Sequence, residues 1–234
     1  MKIGIMGAMP EEIKPIIEKL NNVTITIYAK NKYYEGLYNG QEVVIAYSKI
    51  GKIFASLTAT VLIEKFKCKQ LLFSGVAGAI SNHLKIGDLV IANGLCQHDL
   101  DITAFGHPHG YVPEGEIYIT PDNYLRQIAK RVASRKGIAL KEGIIATGDQ
   151  FIANPEQKVW IGKTFSADAL EMEGASVAVV CNALNVPFFI LRAISDSADM
   201  DAGFDFDTFL ENSAKISADF ILSMMKEITD QYNQ

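Results

Sequence analysis

Three acidic residues, Glu12, Glu173 and Asp196, stand just behind stretches that read as strands. Glu12 follows the apolar run 2–6 by way of Gly7 and Pro10. Glu173 belongs to Glu171-Met172-Glu173-Gly174, which closes residues 165–170. Asp196 ends Arg192-Ala193-Ile194-Ser195-Asp196, after the apolar run 186–191. In open α/β sheets ligands bind outside the carboxyl ends of the strands, so three such carboxylates can face one cleft. Gathering carboxylates with no metal or arginine among them is costly, and that cost usually signals function. Acids in unlike surroundings titrate apart and divide acid and base roles between them. The bland alternative is three unrelated surface acids, with Glu11 and Glu12 complementing a helix dipole. Spacing alone leaves both open.

Other chemistries are weaker. His98, Asp99, Asp101, His107 and His109 match no zinc spacing and read as solvated loop residues, with no metal. Lys49 and Lys52 bracket Ile50-Gly51 and suggest a phosphate site, yet the first arginine in the chain is Arg126. A phosphate clamp normally wants guanidinium forks or a P-loop. The glycines after residues 2–6 and 70–74 form no G-x-G-x-x-G fingerprint, so no dinucleotide cofactor is expected.

The elements that must position the acids can be read in order. Residues 2–6 form a buried strand, and Pro10 suits the first turn of a helix. Residues 23–28 alternate, and 33–38 and 42–47 flank Asn39-Gly40, a strong hairpin signal. Residues 52–66 read as a helix with Ile53, Leu57, Val61 and Phe66 on its buried stripe. A strand at 70–74 runs into a small-residue loop, 75–79, which permits close backbone approach. Strands are expected at 88–92, 143–147, 164–170 and 187–194, and helices at 121–136 and 176–184. The stretch 95–115 reads as a long functional loop. A last helix, capped by Asp207, buries Leu210, Ala214, Ser217, Ile221, Met224 and Ile228. No linker or repeat interrupts the chain, which predicts one domain over residues 1–234.

With 234 residues and 49% hydrophobic content, the chain can bury a full core. A net charge of −5 argues against nucleic acid or an anionic membrane as partner. Cys68, Cys96 and Cys181 are widely spaced, which predicts reduced thiols in a cytoplasmic protein. No signal-peptide pattern or run of about 20 apolar residues is expected to target or span a membrane.

Taken together, residues 4–12 (GIMGAMPEE), 74–78 (SGVAG), 147–151 (TGDQF), 171–175 (EMEGA) and 192–196 (RAISD) resemble the 5′-methylthioadenosine/S-adenosylhomocysteine nucleosidases. Each piece is weak, but the ordered set is specific and runs along essentially the whole chain. The resemblance implies the nucleoside phosphorylase fold, three-layer α/β/α around a mixed, partly barrel-like sheet, and a homodimer without cofactor. Residues 46–52 (AYSKIGK), 73–78, 97–99 (QHD) and 148–151 look closest to the branch that also cleaves 6-amino-6-deoxyfutalosine in menaquinone synthesis.

The resemblance also implies roles. Asp196 would protonate the adenine leaving group at N7, and Glu12 would be the general base on water. Glu173 would hold the ribose hydroxyls beside the Met172 backbone. Phe151 and Ile152 would read the adenine edge, with the Phe151 ring stacked on the base. Val76, Ala77 and Gly78 would line the ribose and base. Met9, Ile50 and Phe206 would surround the 5′ substituent, and Arg192 and Ser195 would support Asp196 and the site. The partner subunit would supply Ile102, Phe105 and Pro113 to that pocket, with His107 standing where an aromatic is often found. Expected substrates are methylthioadenosine, S-adenosylhomocysteine, 5′-deoxyadenosine and aminodeoxyfutalosine. The competing readings are a purine nucleoside phosphorylase, and a nucleoside-binding protein without catalysis.

Overall fold

The computed structural model of the chain describes residues 1–198 and 201–232. Strand β1 (Ile3–Gly7) is buried throughout and runs through Ala8 and Met9 into helix α1 (Pro10–Ile17), with Pro10 in the first turn. Strands β2 (Asn21–Tyr28), β3 (Asn31–Tyr38) and β4 (Gln41–Tyr47) form an antiparallel meander. Asn39 and Gly40 both have positive φ at the β3–β4 turn, the conformation that hairpin twist demands. Helix α2 (Lys52–Glu64) leads to β5 (Gln70–Ala79), and β6 (Leu89–Gln97) precedes the long loop. Then come α3 (Asn123–Lys136), β7 (Leu140–Thr147), α4 (Pro155–Phe165), β8 (Ala169–Glu171), α5 (Gly174–Ala183), β9 (Phe188–Asp196) and α6 (Ala202–Tyr232).

The nine strands follow the order β2-β3-β4-β1-β5-β8-β7-β6-β9, and β9 returns to pair with β5. Strands β5, β8, β7, β6 and β9 therefore close into a ring, while β1 and the meander extend from β5 as an open sheet. The first part of β5 lies between β1 and β9, and its end pairs with both β9 and β8. Helices α2 and α5 cover one face, burying Ala55, Ala59, Leu62, Val177 and Ala178. Helices α1, α3 and α6 cover the other through Ile13, Ile16, Leu125, Ile128, Ile221 and Ile228. This is the mixed α/β/α arrangement with a barrel-like centre expected above.

Several local expectations need correction. Residues 75–79 are strand rather than loop, since β5 stays hydrogen-bonded and buried to Ala79. The expected stripe of α2 holds at its far end, where Val61 and Phe66 are buried, but not at its start, where Ile53 and Leu57 are 78% and 44% exposed and Ala55, Thr58 and Ala59 take the buried positions, with Leu62 and Ile63 further on. Small residues in the first turns let that end of the helix sit close to the sheet. Residues 155–165, not foreseen as a helix, form α4, capped by Asn154, whose side chain accepts from the Glu156 and Gln157 N–H groups. The expected strand 164–170 shrinks to β8. Helix α6 starts at Ala202, before Asp207, so Asp207 does not cap it.

Candidate active site

Glu12 sits at the third position of α1 and turns back over the helix start. One carboxylate oxygen accepts from the backbone N–H groups of Ala8 and Met9 (3.1 Å to the latter), the other from Val76 N–H on β5 (3.1 Å). The side chain is buried, and burial raises its pKa even though Arg192 and the three N–H groups pull it down. A helix N-terminus alone would favour ionisation; here desolvation outweighs it and moves the carboxyl toward the range useful to a general base. Gly75 makes room for this group. A Cβ there would stand 2.8 Å from Glu12 Oε1 and 3.1 Å from Arg192 Nη1.

Asp196 ends β9. The pairing of β9 with β5 slips between Ala77 and Gly78, so Ser195 is an extra residue that bends the strand at its end. Ser195 Oγ donates to Asp196 Oδ2 at 2.9 Å, and Ala198 N–H donates to Oδ1 at 2.9 Å. Gly78 backs the acid so closely that a Cβ there would lie 2.6 Å from Oδ1. The small residues of β5 thus admit two carboxylates from different elements.

Glu173 immediately precedes α5, and its Oε1 accepts from Gly51 N–H at 2.8 Å. Burial, then the charge of Glu171, pushes its pKa up to about 8, against the pull of Gly51 N–H and Arg192. Gly51 is itself held at φ 101, and the next residue ties this corner to the 148–151 turn. Lys52 N–H donates to Asp149 Oδ1 (2.8 Å), its ammonium pairs with Asp99 (2.6 Å), and Asp149 N–H donates to Asp99 Oδ2 (2.8 Å).

Arg192 supports the site from below and is not part of the cavity lining. It lies beneath the floor, 1% exposed, pairs with Glu171 at 2.6 Å and lies over the Phe73 ring at 4.1 Å. Glu171 also accepts from Thr147 Oγ1, Glu173 N–H and Gly174 N–H. Glu171 and Thr147 are therefore part of the site's foundation. The signal was the Glu171-Met172-Glu173 pairing of acids, but only packing separates the buried partner of an arginine from the acid facing the cavity.

A cavity of about 430 Å³ opens above these groups, lined by Glu12, Glu173 and Asp196 together with Met9, Ile50, Val76, Ala77, Gly78, Phe151, Ile152, Met172, Ser195 and Phe206. The sequence did not point to its other lining residues, Ala8, Gln150, Leu170, Glu171, Gly203 and Asp207. Phe151 meets Phe206 edge-on at 5.7 Å. Ile102, Phe105, His107 and Pro113 stand apart from the cavity of their own chain; Phe105 is 81% exposed, and His107 stacks on Tyr111. The histidines of that loop are dispersed: His98 is buried against Gly148 rather than solvated as expected, and His109 packs against Trp160. Among the described residues no lysine or arginine lines the cavity. Three buried carboxylates in unlike surroundings, beside a cavity lined mostly by apolar residues, suit acid–base cleavage of a neutral, flat ligand.

Residues 2–226 match the family described as the phosphorylase superfamily. The chain is 56% identical to the aminodeoxyfutalosine nucleosidase of Campylobacter jejuni over 228 residues, 97% of this chain and 100% of that one. It is 39% identical to the 5′-methylthioadenosine/S-adenosylhomocysteine nucleosidase of Actinobacillus succinogenes over 229 residues, again 97% and 100% of the two chains. The crystal structure of the 5′-methylthioadenosine/S-adenosylhomocysteine nucleosidase of Helicobacter pylori with butyl-thio-DADMe-Immucillin-A matches it with a TM-score of 0.95 at 48% identity, covering 97% of this chain and 98% of that one. With a fold, a family match and relatives that agree along nearly the whole length, the chain belongs to the phosphorylase superfamily, among its adenine nucleoside nucleosidases.

Proposed function

We propose that the protein hydrolyses the N-glycosidic bond of 5′-substituted adenine nucleosides and releases adenine. Its substrates are methylthioadenosine, S-adenosylhomocysteine, 5′-deoxyadenosine and 6-amino-6-deoxyfutalosine. The observation that carries the reading is the convergence of Glu12, Glu173 and Asp196 on one cavity that, among the described residues, no lysine or arginine lines. Adenine lies against Phe151 and Ile152, the ribose against Met172 and Glu173, and the 5′ group toward Met9, Ile50 and Phe206. Asp196 protonates N7 as the bond breaks, and Glu12 takes a proton from the attacking water. The sugar passes through an oxocarbenium-like state, as in glycoside cleavage by paired carboxylates, and the surrounding acids favour that positive charge. Burial favours the protonated form of Glu173, which can donate to one ribose hydroxyl while accepting from the other.

The cavity also favours water over phosphate. Arg192 is spent on Glu171, and an anion beside Glu12 would meet a carboxylate. Residues 1–234 act as one domain, in a cytoplasmic homodimer that serves methionine salvage and menaquinone synthesis. The dimer reading is supported by exposed large apolar side chains, Ile53, Phe54 and Leu57 on α2 and Phe105 in the long loop. The partner subunit's Phe105 then closes the 5′ end of the pocket. The test is adenine release from methylthioadenosine and from aminodeoxyfutalosine, with and without phosphate. Free sugar is expected from both, with no phosphate dependence. Sugar 1-phosphate as main product would establish a phosphorylase. A kcat/KM for aminodeoxyfutalosine more than about a thousandfold lower, on the order of 4 kcal/mol of transition-state binding, would remove it from the substrates.

A further inference from the structure

We infer that Lys49 is a specificity residue that recognises a carboxylate carried on the 5′ substituent; this rests on the nucleosidase reading. The walls of the cavity are acidic, with Glu12, Glu171, Glu173, Asp196 and Asp207 facing or bordering it. A neutral nucleoside tolerates that surface, but a substrate with an anionic tail is repelled unless a cation stands at the rim. Nearby cations are committed elsewhere. Arg192 is paired with Glu171, Lys52 with Asp99 (2.6 Å), and the Lys158 ammonium donates to the Ser197 carbonyl (2.5 Å).

Lys49 differs. It is exposed and, among the described residues, has no carboxylate partner. Its ammonium rests 5.0 Å over the Phe54 ring, a contact that leaves its N–H donors free for an anion. It stands beside two cavity-lining residues, next in sequence to Ile50 and bonded through its own N–H to Ala8 O at 2.9 Å.

Its backbone gives a second, independent indication. Lys49 has φ 77, a left-handed conformation that strains a long side chain and suits glycine. The surroundings impose it: Ala8 O accepts from its N–H, and the buried Ser48 Oγ donates to its carbonyl at 2.7 Å. A lysine kept where glycine would relieve strain points to a use for its side chain. The ammonium touches no reacting atom, so its contribution belongs to binding and should appear in KM.

The experiment compares an adenine nucleoside whose 5′ group ends in a benzoate, the methyl ester of the same compound, and methylthioadenosine. In Lys49→Met, kcat/KM for the benzoate is expected to fall at least tenfold, mainly through KM. The ester and methylthioadenosine should stay within twofold, and Lys49→Arg should retain most of the benzoate activity. Equal losses on all three compounds, or none on the benzoate, would overturn the inference. Calorimetric titration of the benzoate nucleoside into Asp196→Asn and into Asp196→Asn/Lys49→Met gives a readout independent of turnover. Tenfold weaker binding in the second protein supports the inference, and equal dissociation constants overturn it. Failure of the wild type to release adenine from any compound would instead strike the nucleosidase reading.

Discussion

Replacing Arg192 by Met should destabilise the protein, and the loss should grow with pH. Arg192 and Glu171 are a fully buried pair, with side chains 1% and 3% exposed. Removing one member of such a pair leaves a charge uncompensated and typically costs about 3–5 kcal/mol. Arg192 also lowers the pKa of both Glu12 and Glu173, whose folded values lie above 4.5 because of burial. A carboxyl raised on folding contributes stability that is present below its unfolded pKa and lost as pH rises through its folded pKa. Without the guanidinium both folded values rise further, so the variant loses more between pH 4.5 and 8 or above. Near pH 4.5 and below, both groups approach neutrality and only the broken pair remains to be felt. Urea unfolding at pH 5 and pH 8, at one protein concentration, measures the difference. A loss of about 3–5 kcal/mol at pH 8 corresponds to roughly 6–20 °C in Tm for a chain of this size. The pH 5 value should be smaller by about 1 kcal/mol or more, on the scale of one pKa unit. A loss below about 1 kcal/mol at pH 8, or one that does not change with pH, would refute the assignment of Arg192 as the counter-charge beneath the site.

Asp196→Asn should lower adenine release by about 10²–10⁴-fold with the fold intact by circular dichroism, since an amide cannot deliver the proton; more than about a tenth of wild-type rate would exclude the acid role. Glu12→Gln should be similarly slow while calorimetry still shows nucleoside binding, and loss of binding together with rate would make Glu12 a ligand contact instead of a base. Gly78→Ala pushes a methyl group to within 2.6 Å of Asp196 Oδ1, so kcat should fall by about 10²-fold; a kcat within twofold of wild type would mean that the acid's position is not critical. Mixing Asp196→Asn and Phe105→Ala chains should restore activity through hybrid dimers that unite an intact acid with an intact Phe105, and no recovery after verified subunit exchange would rule out a shared pocket.

Much of this site is legible in the sequence because its carboxylates sit where backbone rules put them. Pro10 fixes a helix start, and Glu12 follows it by two positions. Asp196 ends a fully buried strand that opens with the apolar run Phe188-Phe189-Ile190-Leu191. The Asn39-Gly40 turn was equally plain. What escaped was decided by packing. The small residues of β5 suggested a loop, yet they form a strand whose missing side chains leave space for Glu12 and Asp196. The first turns of helix α2 departed from the expected stripe because Ala55 and Ala59, rather than Ile53 and Leu57, meet the sheet, while Val61 and Phe66 are buried as expected. Helix α4 shows no apolar stripe, since Val159 and Trp160 are exposed and only Ile161 and Phe165 are buried. Its signal was the Asn154-Pro155 cap. The Glu171–Arg192 pair joins residues of different strands, and no local pattern distinguishes it from a pair of site residues.

The closed ring has a kinetic consequence. Strand β5 pairs with β1 near the start of the chain and with β8 and β9 near its end. Contacts so distant in sequence form slowly, because the loops between them must close before pairing rewards it. Glu12, Glu173 and Asp196 ride on these late-meeting segments, and their spacing is set only once β9 has docked against β5. A refolding chain that has its helices and meander but an open ring therefore has no catalytic site at all. On dilution from denaturant, ellipticity should return in an early phase and adenine-releasing activity only in the last one. Activity thus reports a chain whose ring has closed and whose pocket the partner subunit has completed.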